Sequence, residues 1–546
     1  MMKSIYVCLL CFLSLHTFCQ HSQIKLSEDF KFSENEYRNQ TMAHSVYHND
    51  VFYTATNPGI GVNYKWIFTG LYDIRVPVAV SMFDKNMNKL KEVTMSNGEK
   101  VYGPLPPTLL LLNNKLCLAY FQTDNKSSFN FYLAHVDEST LAIVEPRKIC
   151  TIEQKNVSIL DADLIYKSSF VSFASSPDKS KTLIVCRASP NSVQSFILDS
   201  SLNVLKQYTS TTPTEGFGIS AAVLTNDLVA CIVLKSDEET KIICHDGSDR
   251  KSLTRLNPVG DMYPLSTSLT IAHDGKSIYV CATTGIEKDL VNTNGLLILQ
   301  LDCGTLKLSR PMAYEFDQDF LETAHQKGGG DKHRKEFFMY NFSPHLIELE
   351  SGSLTILGSP EKLSTEATTT FYDGNRPQTN RVYQTLEVGP VMAFFPNKGS
   401  KGFKYVLIPR RMESTRANNT GPGVFMRLHA AIVSNSYSNF AAKIIGDEIA
   451  IIYNDNEKNL ARGEDEKVSI SDSPSDLVLA EAFINKDRKL QYRKQVAKNL
   501  GGRYSYFLGS SVPTSSSMIV FPIAKEGGAF NLQKIVYTNW CFLELQ

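Results

Sequence analysis

"KIIGDEIAIIYNDNEKN", residues 443–459, holds the pattern that decides the fold. An apolar strand meets Gly446-Asp447, a second apolar strand follows, and Tyr453 leads into Asn, Asp and Glu. Gly and Asp tolerate the positive φ of tight turns, so the first part reads as a β-hairpin. The Asn454–Glu457 cluster invites a metal reading. A helix–loop–helix calcium loop needs oxygen ligands at positions 1, 3 and 5, Gly at 6 and Glu at 12. Counted from Asn454, Lys458 falls at the fifth position and Asn459 at the glycine position; counted from Asp455, those places go to Asn459 and Leu460. Neither register fits. A looser calcium site near Asp455 stands beside a plain turn held by side-chain-to-backbone hydrogen bonds.

The same hairpin returns along the chain. It occurs with turns at Asn49-Asp50, Asn113-Asn114, Ser168-Ser169, Asn226-Asp227, Asp274-Gly275 and Ser351-Gly352, and in weaker form near Ser515. A second motif alternates with it: an apolar strand ending in Asp, a short turn, then a Leu-containing strand. Asp84, Asp137, Asp199, Asp246 and Asp302 mark it, with Asn485 in the equivalent place later. The marks recur at intervals of about 50 to 60 residues, so each unit holds two hairpins and four strands. Long apolar patterns at helical period are absent. Four-stranded antiparallel units in tandem predict an all-β chain folded as a β-propeller of about eight four-stranded blades. Seven blades, or two β-sandwich domains, are the alternatives. Inner blade strands are covered on both faces and should read as continuous apolar runs, as "LLLL", "IYVCA" and "EIAIIY" do. The segment "HSQIKLSEDFKFSE" is expected to add a strand beside the C-terminal "NLQKIVYTNW" and close the ring.

The first 19 residues read as a signal peptide, with Lys3 before a short apolar run and Thr17 and Cys19 at the cleavage positions. Residues 20–546 then form the propeller, exported to the periplasm or beyond. Bulky Phe18 before Cys19 argues against lipoprotein anchoring. No later run reaches the length of a membrane-spanning helix. Lys plus Arg and Asp plus Glu both number 56, so a nucleic-acid partner, which would need a basic excess, is not expected. Eight cysteines follow the signal segment, mostly single within apolar strands, and read as buried thiols more readily than as a disulfide framework.

Three polar inserts interrupt the array, at 316–336, 361–384 and 412–423, and project as loops, where function concentrates. Near them Arg376, Arg381 and Arg410 join Tyr372 in a candidate anion- or sugar-binding patch, because Arg offers a planar fork to carboxylates. His333 lies in "KGGGDKHRK", which lacks the ending of a phosphate-binding loop; with His325 it suggests a metal pair without a third ligand. Nucleophile-elbow, HExxH and Walker motifs are absent, so no catalytic residue is assigned.

The run "IIGDEIAIIYNDNEKN", with "VLIPRR" and "LIELESGSLTILGSPE" upstream, resembles a group of exported Bacteroidetes proteins that carry a Y-N-D-N-x-K-N element after a hairpin. The resemblance covers roughly 345–460, and Ser351-Gly352 departs from the Gly-Gly of that group. It implies lineage and architecture, and no catalytic residues. The expected function is that of a non-catalytic binding module for a protein, glycan or other envelope partner. The alternative is a polysaccharide-acting hydrolase or lyase with carboxylates at the propeller mouth.

Overall fold

The computed structural model describes residues between Gln23 and Glu544, the longest omitted internal segments being 33–43, 63–73, 96–107, 154–170, 329–338, 420–439 and 527–535. The signal-peptide assignment and His333 lie outside the described residues. Among the described residues, eight antiparallel sheets of four or more strands follow one another along the chain. Their first strands are His44–His48, Thr108–Leu112, Val171–Ser175, Gly218–Leu224, Tyr263–Ile271, His345–Glu348, Phe440–Ile445 and Val512–Ser515. First strands pack against each other between sheets one and two, three and four, four and five, and five and six, and Val512–Ser515 packs against His44–His48. Leu110 with Val171, Ile347 with Phe440, and Leu477–Ile484 with Tyr504–Tyr506 complete the series, so the sheets close into a ring. The protein is an eight-bladed β-propeller, and neither the seven-blade nor the two-sandwich alternative holds.

The ring is sealed as expected. Gln23–Leu26 and Phe30–Phe32 both pair with Val536–Glu544, so the chain's beginning completes the sheet made by its end. Closure by strands far apart in sequence leaves no open gap between the last blade and the first.

The core is a series of interfaces between blades. Val46 and Tyr53 meet Leu116 and Leu118, and Cys117 and Phe131 meet Ile184 and Phe196. Leu183 and Val185, on the other face of that third blade, meet Ala230 and Ile232. The series runs on through Val233 with Val280, Ile298 with Phe394, and Val391 with Ile451 and Tyr453. Adjacent residues of one strand thus serve different interfaces, because side chains alternate across a sheet. That is why these strands read as unbroken apolar runs.

Both repeated motifs have structural roles. The first is the turn between strands one and two: Asn49 and Asp50 both take positive φ, and Gly446 does so in the seventh blade. The second is the turn between strands three and four. Asp199 Oδ1 accepts from the backbone N–H groups of Ser201 and Asn203 at 2.8 and 2.9 Å. Asp246 accepts likewise from Ser248 and Arg250, and Asn485 from Asp487 and Lys489. The third blade differs in one respect, and the turn expected at Ser168-Ser169 lies outside the described residues. Its first hairpin joins Val171–Ser175 to Thr182–Ser189. There Asp178 accepts from the Ser176 hydroxyl and the Ser180 N–H and hydroxyl. "VSFAS" is therefore the first strand of its blade, not the second.

The inserts carry secondary structure of their own. Helix α1, Gln318–Lys327, occupies the first; Asp317 caps it by accepting from Phe320 N, and Phe320 and Ala324 are buried. Their i, i+4 spacing puts both on one face, and Phe320 packs edge-on to Phe394, Phe403 and Tyr405. Instead of two loops, the other inserts supply the strands Glu361–Ala367, Arg381–Val388 and Met412–Asn419, which form a separate three-stranded sheet.

The expectation of buried thiols holds for seven cysteines, all free and buried: Cys117, Cys150, Cys186, Cys231, Cys244, Cys281 and Cys303. No helix among the described residues is long and apolar enough to cross a membrane.

Candidate functional site

The two faces of the ring differ. In an antiparallel blade strands two and four run the same way, so connections 2→3 and 4→1 share one face and the hairpin turns share the other. In blades one to seven no turn on the hairpin face exceeds six residues. The opposite face receives α1, the three-stranded sheet, and the connections that carry Gly61–Val62 with Ile74–Arg75 and Glu457–Leu460.

The three-stranded sheet grows out of blade six. Its strands continue Leu354–Gly358, Val391–Pro396 and Phe403–Ile408, with Pro360, Pro390 and Pro409 at the three junctions. Proline donates nothing to a ladder, so blade pairing stops there and resumes beyond as a second sheet. Gly389 N donates to Pro360 O at 2.9 Å across this neck. A Cβ on Gly389 would lie 2.8 Å from the Pro360 ring, so the close approach needs glycine.

Arg410 locks the neck. Its side chain is wholly buried; Nε donates to Gly389 O at 3.2 Å and Nη2 to Ser359 Oγ at 2.6 Å. One side chain thus joins the three departing strands. The apolar stripe Ile449–Ile451–Tyr453 of blade seven faces blade six. Strand periodicity places Asp455 next on that stripe, and its charge acts on Arg410. Burial pushes Asp455 up to about 7, against the downward pull of Asn459, the Asn456 N–H, Arg410 and Arg493. Burial also lowers Arg410 to about 10, and burial followed by Asp455 raises Tyr453.

The rest of the Asn-rich motif ties down the connection that follows. Asp455 Oδ1 accepts from Asn456 N and Asn459 Nδ2 at 2.8 and 2.7 Å. Asn456 Oδ1 accepts from Lys458 N at the start of the short helix α2, Glu457–Leu460. Asn459, itself buried, accepts from Ser469 N at 2.6 Å and donates to Ser469 O at 3.0 Å, pairing as a backbone unit would. Asn456 Nδ2 donates to Ile470 O. Around Asp455 stand amide donors and guanidinium charge, the complement of a carboxylate, whereas a divalent cation calls for several converging oxygens. No group of three or more His, Cys, Asp or Glu among the described residues is placed to hold a metal ion.

The proposed patch is divided by the fold. Tyr372 and Arg376 lie on the small hairpin at the far end of the extension, in the pairs Tyr372↔Pro377 and Asp373↔Arg376. Arg381 begins the middle strand, opposite Asn419. Arg410, grouped with them in sequence, lies instead at the buried base and offers no guanidinium to a ligand. The partners Ser359, Gly389 and Asn459 were not singled out from sequence. The recurrence of proline at 360, 390 and 409 is the signal that would have marked the neck.

The first strands, nearest the ring axis, consist mostly of apolar and hydroxyl residues, with His44, His48, His345 and Lys443 among them. Their one carboxylate is Glu348, which accepts from His273 N on the hairpin face. Ser220 and Thr267 hydroxyls meet at 2.8 Å between blades four and five. Asn341 joins blades five and six: its oxygen accepts from Thr283 and Thr293 and its nitrogen donates to Ser266.

No protein-family model and no curated protein matches the chain. Among solved structures, a protein from Lactobacillus plantarum aligns at TM-score 0.35 and 9% identity, over 77% of this chain and 92% of that one. The WD40 domain of SCAP from fission yeast aligns at TM-score 0.29 and 8% identity, over 80% and 91%. Prolyl oligopeptidase B from Galerina marginata aligns at TM-score 0.31 and 11% identity; 59% of this chain spans 38% of that one. At such scores the likenesses carry no argument, and the fold rests on the sheets described above.

Proposed function

We propose that this chain is an exported propeller that binds a protein or glycan of the cell envelope on its insert-bearing face, without catalysis of its own. The blade-six extension is the reading's contact element. The observation that carries it is the asymmetry of the ring: hairpin turns stay short on one face, while the extension, α1 and the long connections gather on the other. Compact folds keep connections short unless they are used. Burying an arginine in the neck fixes the extension's direction, at a desolvation cost that a flexible appendage would not require. Tyr372, Arg376 and Arg381 at and near the tip supply the residue types that recognise carboxylates and sugars. A hydrolase or lyase needs two carboxylates about the scissile bond, and the first strands offer Glu348 alone, already engaged.

The test replaces residues 368–380 with an Asn-Gly turn, joining Ala367 to Arg381 and leaving the neck intact. Envelope pull-down and glycan-array binding should be lost while far-UV circular dichroism and melting stay unchanged. Unaltered binding by this variant, or no binding by the intact protein in either assay, removes the proposal. Release of product from envelope polysaccharide by the intact protein would favour the enzyme instead.

A further inference from the structure

Cys231 and Cys244 stand directly opposite each other on strands two and three of blade four, Ala230–Lys235 and Thr240–His245. Their sulfur atoms are 3.5 Å apart, and both side chains are buried. Residues directly opposite in an antiparallel ladder have Cβ atoms about 4.5 to 5.5 Å apart, and a disulfide asks for about 3.5 to 4.5 Å. Bond formation therefore needs side-chain rotation and a small approach within one hairpin, with no movement of one blade past another.

We propose that Cys231 and Cys244 form a cross-strand disulfide when the chain folds under oxidising conditions. Its occurrence in the cell rests on the export reading, since such bonds persist outside reducing compartments. The oxidant is a disulfide-bearing molecule of the glutathione or oxidoreductase class. One thiol loses its proton and its thiolate attacks the oxidant, giving a mixed disulfide and releasing one oxidant thiol. The second thiolate then displaces the other oxidant sulfur, which leaves as a thiol after taking up a proton. Two protein thiols become one disulfide, and the oxidant disulfide becomes two thiols. The step belongs to folding. Once the blades have closed, interaction with Cys244 and burial hold the Cys231 thiol well above its ordinary range, so little attacking thiolate remains.

The full chain is refolded in a glutathione redox buffer, quenched in acid, alkylated in denaturant without reductant, and digested with trypsin. The expected product is peptide 207–235 joined to peptide 242–250, two mass units lighter than the two reduced peptides together. Alkylation of both cysteines in this sample overturns the proposal, as does a link from Cys244 to Cys303 instead. A parallel sample is taken from cells producing the full chain with its own N-terminal segment. A link in the refolded protein, with free thiols in the cellular sample, supports the pair and counts against export.

Discussion

The electrostatic coupling of Arg410 and Asp455 yields the sharpest prediction, because two physical accounts of it differ in sign. If desolvation dominates, as a carboxyl raised to about 7 requires, the ionised form is an expense in the folded protein. If attraction to Arg410 and Arg493 dominated, the carboxyl would instead fall below its ordinary value of about 3.9. Between about pH 4 and pH 7 the native carboxyl holds a proton that the unfolded one has lost, so stability falls as pH rises through that window. Three units at about 1.4 kcal/mol each set a ceiling of about 4 kcal/mol. His245, lowered to about 4 by burial, works the other way over the same range, because the unfolded imidazole binds the extra proton. The wild-type profile alone therefore does not isolate Asp455.

The difference between wild type and Asp455→Asn does isolate it. The amide keeps an oxygen for Asn456 N and Asn459 Nδ2 and never ionises. Urea unfolding followed by far-UV circular dichroism, at steps from pH 4.5 to 8.5, should give near-equal stabilities at the acid end. The variant should gain progressively from about pH 4.5 to pH 7 and level off above it, by up to about 4 kcal/mol. Curves that stay parallel would refute the titration. A variant that is weaker at pH 8.5 by about 3 to 5 kcal/mol, as expected for breaking a favourable buried ion pair, would refute the desolvation account.

Three further outcomes are expected. Asn459→Ala removes the paired hydrogen bonds to Ser469 and leaves partly buried backbone groups unsatisfied, costing about 1 to 3 kcal/mol in denaturant unfolding. Gly295→Ala places a Cβ 2.4 Å from the Tyr314 backbone oxygen, so blade five must shift; a loss of about 1 to 3 kcal/mol is expected, and an unchanged melting temperature would contradict the packing described. Deleting residues 23–32 removes the two N-terminal strands that pair with Val536–Glu544, leaving it paired only to Met518–Glu526, and should lower the melting temperature and expose the last blade to limited proteolysis ahead of the others.

Much of the architecture was legible locally. Hairpin turns declare themselves through residues that tolerate positive φ, as at Asn49-Asp50 and Gly446, and through Asp side chains that cap the strand three–four turns. The spacing of those turns gave the repeat, and apolar runs gave the double burial. In the third blade local pattern did not decide which hairpin "VSFAS" joins, because a short apolar strand can pair with the segment before it or the segment after it, and the structure pairs it with Thr182–Ser189. The helix α1 was missed although Asp317 and the Phe320–Ala324 spacing signalled it, since a single short helix leaves little periodicity to detect.

The opening stretch divides at Tyr453. Up to that residue, sequence by itself determined the structure: a hairpin follows from local φ preferences and from the alternation of apolar side chains. Beyond it the tertiary structure decided. Asp455 could have been a ligand, a solvated turn residue or a buried partner, and these differ only in what packs against it. Among the groups whose charge reaches it is Arg410, on another blade and outside any sequence window. Its burial, and hence the carboxyl's raised pKa, depends on how blade six meets blade seven.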